Sequence, residues 1–278
     1  WKIGLSKEEG KKIAKKIIST NKIDFLNIIK GHIDTDPALT KVIPLQGMAS
    51  APHLDFAGEI KQETKFPIFH AAKINDIATA RHAISNNKLD MVGMTRAHIA
   101  EPHIIKKILE NREDNIRPCV GATYCLDRIY EGKEALCIHN PATGREKNMP
   151  HDITSKAKKI KKIVVVGAGP AGLEAARVCA ERGHKVIIFE AANSAGGQIN
   201  LICKSNKRKD MIGIIDWRLE ICKKLNVKIN YNTLATTKDI LLENPNIVII
   251  ATGGIPNTEI LEEGSDLVTS TWDIIAGN

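Results

Sequence analysis

Apolar and polar positions along the chain fall into two blocks of alternating strand and helix patterns, separated by a long stretch that shows neither. In the first block, Ser6 to Glu9 has the spacing of a capping box and predicts a helix through Ser19. The apolar run 23–29 predicts a buried strand, a helix follows near 55–63, and 67–71 reads as the next strand. Residues 75–87 open on the cap pair Asn75-Asp76 and carry apolar side chains at helical spacing, 89–94 predicts a third strand, and 99–110 a further helix. Repetition of this kind implies a parallel sheet, and near-continuous apolar strands fit one covered on both faces. Residues 111–160 read as irregular and end in a linker rich in Pro, Gly and Lys. The second block predicts a strand at 162–166, a helix at 170–182, a strand at 185–190, a helix near 210–224, and strands at 226–230 and 246–251. No internal repeat is visible.

Length changes this picture little: 278 residues suit two domains. No apolar run reaches the roughly 18 residues of a membrane span. The opening "WKIGLSKEEG" has neither an initiator Met nor the layout of a signal peptide, and the closing "TWDIIAGN" stops without a terminating element. A piece of a longer chain is therefore expected. The net charge of +8 is densest in "KAKKIKK" at 156–162. With three Tyr, five Phe and three Trp, none interleaved with those lysines, the run reads as a solvated linker, and no nucleic-acid partner is expected. Six cysteines without a secretory signal point to a reducing, cytoplasmic setting. Cys179, Cys203 and Cys222 are isolated and read as small apolar filler.

The chemistry begins with "KIVVVGAGPAGLEAARVCAERGHKVIIFE" at 162–190. An apolar strand runs into Gly167-Ala168-Gly169-Pro170-Ala171-Gly172. In a dinucleotide fingerprint the first glycine permits the tight turn, the second lets backbone approach a pyrophosphate, and the third lets the helix pack on the strand. The helix that starts at Pro170 and Ala171 then offers N–H groups and positive dipole to the phosphates. Glu190 stands about 20 residues on, where a carboxylate accepts from ribose hydroxyls, and its charge disfavours a 2′-phosphate. "AGGQI" at 195–199, with Gly197 and Gln198, and "NIVIIATGG" at 246–254, with Ala251, Thr252 and Gly253, resemble the FAD-binding halves of flavin disulfide-reductase-like domains. That resemblance favours FAD, or its ADP portion, over NAD at this first site.

In the first block the strand ends carry Lys30 and His32, then His70 and Lys73, then Gly93, Thr95 and Arg96. Cations at the C-terminal ends of parallel strands suit an anionic group, and barrels often hold phosphate after strands seven and eight. Between the blocks lie Cys119, Cys125 and Cys137, with Ala122 midway between the first two, where a further cysteine would complete a cluster-binding run. "FHAAKINDIATARHAI", "LDMVGMTRAHIAEPHI" and "RPCVGATYCLDRIYEGKEALCIHNPATGRE", followed by the fingerprint, together resemble the old-yellow-enzyme-related flavoproteins with fused iron–sulfur and dinucleotide modules. "CVGATYC" and "DFLNIIKGHIDT" are most similar to the branch of dimethylglycine and N-methylproline demethylases.

The resemblance implies an α/β fold in which 1–112 is the C-terminal portion of an FMN-binding (β/α)8 TIM barrel. It makes 113–155 a cysteine-bearing segment and linker, and 156–278 a truncated Rossmann-like FAD- or NAD(P)-binding domain. It implies that Lys73, Gly93, Thr95 and Arg96 hold FMN, Lys replacing a family arginine, and it makes His32 a substrate-side catalytic candidate. Cys119, Cys125 and Cys137 become either ligands of a 4Fe–4S cluster with one corner filled by His139 or water, or packing residues left from one. The implied activity is oxidation of an N-methyl group through FMN, the resulting iminium hydrolysing to formaldehyde and the demethylated amine. Electrons would pass to an iron–sulfur centre or an external acceptor. The implied partners are a small methylated amine, an electron acceptor and further copies of the chain in a homo-oligomer. Competing readings are an enoate or 2,4-dienoyl-CoA-type reductase driven by NAD(P)H, and a non-catalytic dinucleotide-binding electron-transfer module.

Overall fold

The Ser6 hydroxyl accepts from the Glu9 N–H at 3.2 Å while the Glu9 carboxylate accepts from the Ser6 N–H at 2.8 Å, so the expected capping box starts α1 (Lys7–Ile18). In the computed structural model, which describes residues 4–257 and 263–277, the first of two units ends at Pro102. It continues through β1 (Leu26–Ile28), α2 (Asp36–Val42), α3 (Leu54–Thr64), β2 (Ile68–Ala71), α4 (Ile77–Ser85), β3 (Met91–Gly93) and α5 (Thr95–Ala100). Lys11 bridges Glu59 and Glu63 at 2.7 and 2.5 Å, joining α1 to α3. The strands pair in parallel in the order β1-β2-β3, with Ile28 opposite His70 and Ala71 opposite Gly93. Ile68, His70, Ile74 and Leu89 are buried with Ala57 and Ile60 of α3. Phe25 stacks on Phe69 at 4.3 Å, yet Phe25 and Met91 stay exposed, so the expectation of a sheet covered on both faces is not met within this unit.

The second unit begins at His103. It runs α6 (Ile104–Leu109), α7 (Tyr124–Tyr130), β4 (Lys162–Val166), α8 (Pro170–Glu181), β5 (Lys185–Phe189), α9 (Gln198–Ile202), α10 (Gly213–Lys224), β6 (Lys228–Asn230), α11 (Thr237–Leu242), β7 (Ile247–Ile250) and α12 (Thr271–Ala276). Its strands are all parallel in the order β6-β5-β4-β7. The first strand of the unit thus lies inside the sheet and the chain reverses direction between β4 and β7, the Rossmann arrangement in which ligands bind at the reversal. Val165, Ile188, Leu173, Ala176 and Ile215 form the core under α8 and α10.

Three further expectations need correction. The buried strand expected over 23–29 is only β1, and no residue of 23–29 is buried. The helix expected over 99–110 is two helices, α5 and α6, broken around Pro102, which has no N–H to donate and disfavours helical backbone in the residue before it. The stretch 111–160 is not wholly irregular, since α7 forms inside it.

Candidate functional site

The fingerprint glycines divide by what forces them. Gly167 has φ +102°, and a Cβ there would collide with the Ala251 carbonyl of the neighbouring strand end. A Cβ on Gly172 would collide with the Gly167 carbonyl. Both are demanded by the fold itself. Gly169 is different: its backbone is extended, at φ −72° and ψ −178°, and a Cβ on it would meet no protein atom within 4 Å. Nothing in the protein requires glycine there, whereas a pyrophosphate lying against the backbone does. Gly169 is the N-cap of the 12-residue α8 and offers no side chain to its first-turn N–H groups, which leaves them for an anion.

The other expected residues gather round the same opening. Gly197, at φ +54°, comes so near that its Cβ would lie 3.5 Å from the Gly169 Cα. Gln198 donates to the Gly254 carbonyl at 3.4 Å, tying the loop after β5 to the loop after β7. Glu190 accepts from the N–H of Ala168 at 2.6 Å and of Ala192 at 2.8 Å, one on each oxygen. Its carboxylate is thereby fixed at the mouth of the glycine loop with lone pairs to spare for hydroxyl donors. Ala171, Gly197, Gln198, Thr252 and Gly253 are exposed, so the cradle is open along one side. An ADP moiety fits these residues. Gly196 and Gly254, which share the cradle, lie within the quoted AGGQI and ATGG motifs but were not singled out as site residues.

In the first unit, register brings Lys73, Thr95 and Arg96 to the same end of the sheet, because each follows one member of the Ala71–Gly93 pair. Gly93 is held to glycine by packing, since its Cβ would lie 2.7 Å from that of Ala71. Lys73 is buried and donates to the Met48 carbonyl. It sits at φ +52°, after Ala72 at φ +143°, and left-handed backbone in two successive side-chain-bearing residues is strain of the kind kept at ligand sites. Arg96 donates through Nη2 to the Pro44 carbonyl at 3.0 Å, while its Nη1 is buried with no hydrogen-bond partner. A buried guanidinium nitrogen in that state fits an anionic oxygen, so a flavin phosphate fits here as well. Thr95, the first residue of α5, is exposed beside it.

The two strand-end histidines of this unit are placed differently. His70 is not one of the cations at the strand ends: it is buried, its Nδ1 bonds the Ile28 carbonyl at 2.7 Å, and burial pushes its pKa down, leaving it neutral. His32 is half-exposed and turned to Asp34, whose N–H and carboxylate both lie 3.3 Å from its Nδ1.

The cysteine segment does not assemble as a cluster site. Cys119, Cys125 and Cys137 are each half-buried, and among the described residues no group of three or more His, Cys, Asp or Glu is placed to hold a metal ion. Ala122 packs against the core of the Rossmann sheet. His139, the expected stand-in, is fully buried, with Nδ1 on the Pro118 carbonyl at 2.9 Å and its ring edge-on to Trp217 at 5.5 Å. The donor set does not fit a 4Fe–4S group. Cys222 lies in the core with Cys179 and Cys203 against it, as expected of filler, and burial pushes the Cys222 thiol up to about 11.

Residues 165–212 match the NAD(P)-binding Rossmann-like domain family. The chain is 62% identical, over 99% of its length, to the probable N-methylproline demethylase of Rhizobium meliloti (strain 1021). It is 47% identical, over 98% of its length, to the multifunctional alkene reductase/demethylase OYE of Caballeronia cordobensis. It spans 40% of the length of each of these curated relatives. Among solved structures, a 2-naphthoyl-CoA reductase with bound 2-naphthoyl-CoA superposes on all of the chain with a TM-score of 0.90 and 33% identity, 42% of the reductase being covered.

Proposed function

We propose that the chain belongs to the old-yellow-enzyme-related flavoproteins with a fused dinucleotide module, and that it is a section of an enzyme that oxidatively removes an N-methyl group from a small amine. The observation that carries this reading is the 62% identity to a probable N-methylproline demethylase along 99% of the chain. In this reading residues 1–112 are the closing part of a (β/α)8 barrel, 113–155 a connecting segment, and 156–278 the start of a dinucleotide domain. Lys73, Gly93, Thr95 and Arg96 would hold the phosphate end of FMN, supported by the buried, unpartnered Nη1 of Arg96. Bound FMN supplies the hydride acceptor for the N-methyl group. Gly167, Gly169, Pro170, Ala171, Gly172, Glu190, Gly197, Gln198, Ala251, Thr252 and Gly253 would hold FAD or its ADP portion. In this arrangement Glu190 orients the ribose and the first turn of α8 faces the pyrophosphate. Electrons leave to an external acceptor.

A second reading, reduction of an activated alkene with NAD(P)H, is favoured by the double name of the relative at 47% identity. The two separate in one experiment. The full-length polypeptide that contains this chain is mixed anaerobically with N-methylproline, with dimethylglycine, or with NADH, and flavin absorbance is followed. Bleaching by a methylated amine, with formaldehyde released, is expected. Bleaching by NADH and by neither amine would overturn demethylation in favour of alkene reduction.

A further inference from the structure

We infer that the cysteine-bearing segment of this chain carries no iron–sulfur cluster and is held to the dinucleotide fold by a buried arginine–tryptophan–glutamate core in its place. The inference concerns residues of the second unit alone and stands apart from the choice between demethylation and alkene reduction.

A 4Fe–4S cube takes a donor at each of its four iron corners, and where water fills one of them three thiolates must still converge, which Cys119, Cys125 and Cys137 do not among the described residues. Ala122 has no donor to give, and its methyl group packs against the hydrophobic core of the Rossmann sheet. His139 is not grouped with the cysteines, although its Nε2 is buried with no hydrogen-bond partner: among the described residues no three His, Cys, Asp or Glu are placed to hold a metal ion. Its Nδ1 is engaged by Pro118, its ring is sealed against Trp217, and its own N–H donates to the Cys137 Sγ at 3.4 Å. That last contact makes Cys137 an acceptor in a local turn.

Metal sites in small loops commonly supply the order that the loop lacks without them. This segment has another source of order. Trp217 on α10 donates through Nε1 to the Asn115 carbonyl at 3.0 Å, and the Arg117 guanidinium lies 4.3 Å over its ring. Arg218, the next residue, donates to the His139 carbonyl at 3.0 Å and to Glu174 of α8 at 2.8 Å. Glu174 is in turn gripped by Arg177 at 2.6 Å, and Arg177 reaches Glu181 at 2.7 Å. The segment is therefore tied at its start, through Asn115 and Arg117, and at its end, through His139, to the two helices that cover the nucleotide sheet. Arg117, Arg177 and Arg218 are all but buried, at 6%, 5% and 4% exposure. Burying three guanidinium groups is costly unless their partners are in place, so this core is a commitment of the fold rather than a surface decoration.

The test uses the full-length polypeptide, purified anaerobically and then supplied with ferrous iron and sulfide. Iron and acid-labile sulfide are expected to stay at background. A variant with Cys119→Ser, Cys125→Ser and Cys137→Ser is expected to keep the wild-type melting temperature, flavin content and limited-proteolysis pattern. Trp217→Ala is expected to expose residues 115–140 to protease. About four irons and four sulfides per wild-type chain, lost in the triple variant together with its thermal stability, would overturn the inference. Should Trp217→Ala fail to fold, the metal analysis and the triple variant decide the matter between them. None of these readouts depends on which substrate bleaches the flavin.

Discussion

Among single residues, Gly169 and Gly172 look interchangeable in the motif, and the structure separates them. A methyl group on Gly172 runs into the Gly167 carbonyl, so Gly172→Ala strains the α8–β4 contact whether or not nucleotide is present. A methyl group on Gly169 enters open space, so Gly169→Ala is harmless to the apo protein and obstructs only a bound pyrophosphate. Overpacking costs about 1–3 kcal/mol. Gly169→Ala should therefore weaken ADP or FAD binding roughly tenfold to hundredfold with melting temperature unchanged. Gly172→Ala should lower the melting temperature itself, and equal destabilisation by the two substitutions would refute the distinction. The glycines, Glu190 and the strand-ending Ala-Thr-Gly were legible because a local turn dictates each of them. The Arg117–Trp217–Glu174 core was not, because its members stand 43 to 100 positions apart and each alone reads as an ordinary surface charge or core aromatic.

At the level of elements, legibility followed how much of the signal was local. Strands β2, β4, β5 and β7 were readable as apolar runs, and α1 and α4 from their caps. The short helices α2, α7, α9, α11 and α12 were not anticipated: at five to seven residues they complete too little of a helical period for a pattern to rise above the loop around them. The α4 cap is where an element-level claim can be checked. Asp76 accepts from the Thr79 N–H and from the Thr79 hydroxyl, both at 2.7 Å, and closes the turn that leads out of the strained Ala72-Lys73 corner. Asp76→Ala should cost about 1 kcal/mol of stability, the ordinary worth of such a cap, while Asp76→Asn should recover most of it. Denaturant melts of the two variants test this. If neither differs from wild type, the cap does not hold α4 in place.

On the scale of the whole molecule, the two units share one physical liability, a set of histidines buried in the neutral form. His53 and His70 lie in the first unit and His139 in the second. Burial is the leading cause that pushes all three below the ordinary histidine value of 6.5, opposed in each case by a bond to a backbone carbonyl. The sign of the effect follows from which state binds protons. Below about 6.5 the unfolded chain takes up protons that the folded chain refuses, so stability is complete above that pH and is lost as pH falls beneath it. Each histidine can contribute a slope of at most about 1.4 kcal/mol per pH unit. Lowering the pH from about 7.5 to 5.5, still above the ordinary carboxylate range, should therefore reduce the melting temperature of both units. The unfolding transition should take up protons, visible as a dependence of calorimetric enthalpy on buffer ionisation heat. Replacing His139 by Gln, which can still donate to the Pro118 carbonyl, should flatten the profile of the second unit alone. A melting temperature constant across that window would show that these imidazoles reach water or a counter-charge in the folded chain, and the packing that seals His139 against Trp217 would have to be abandoned with it.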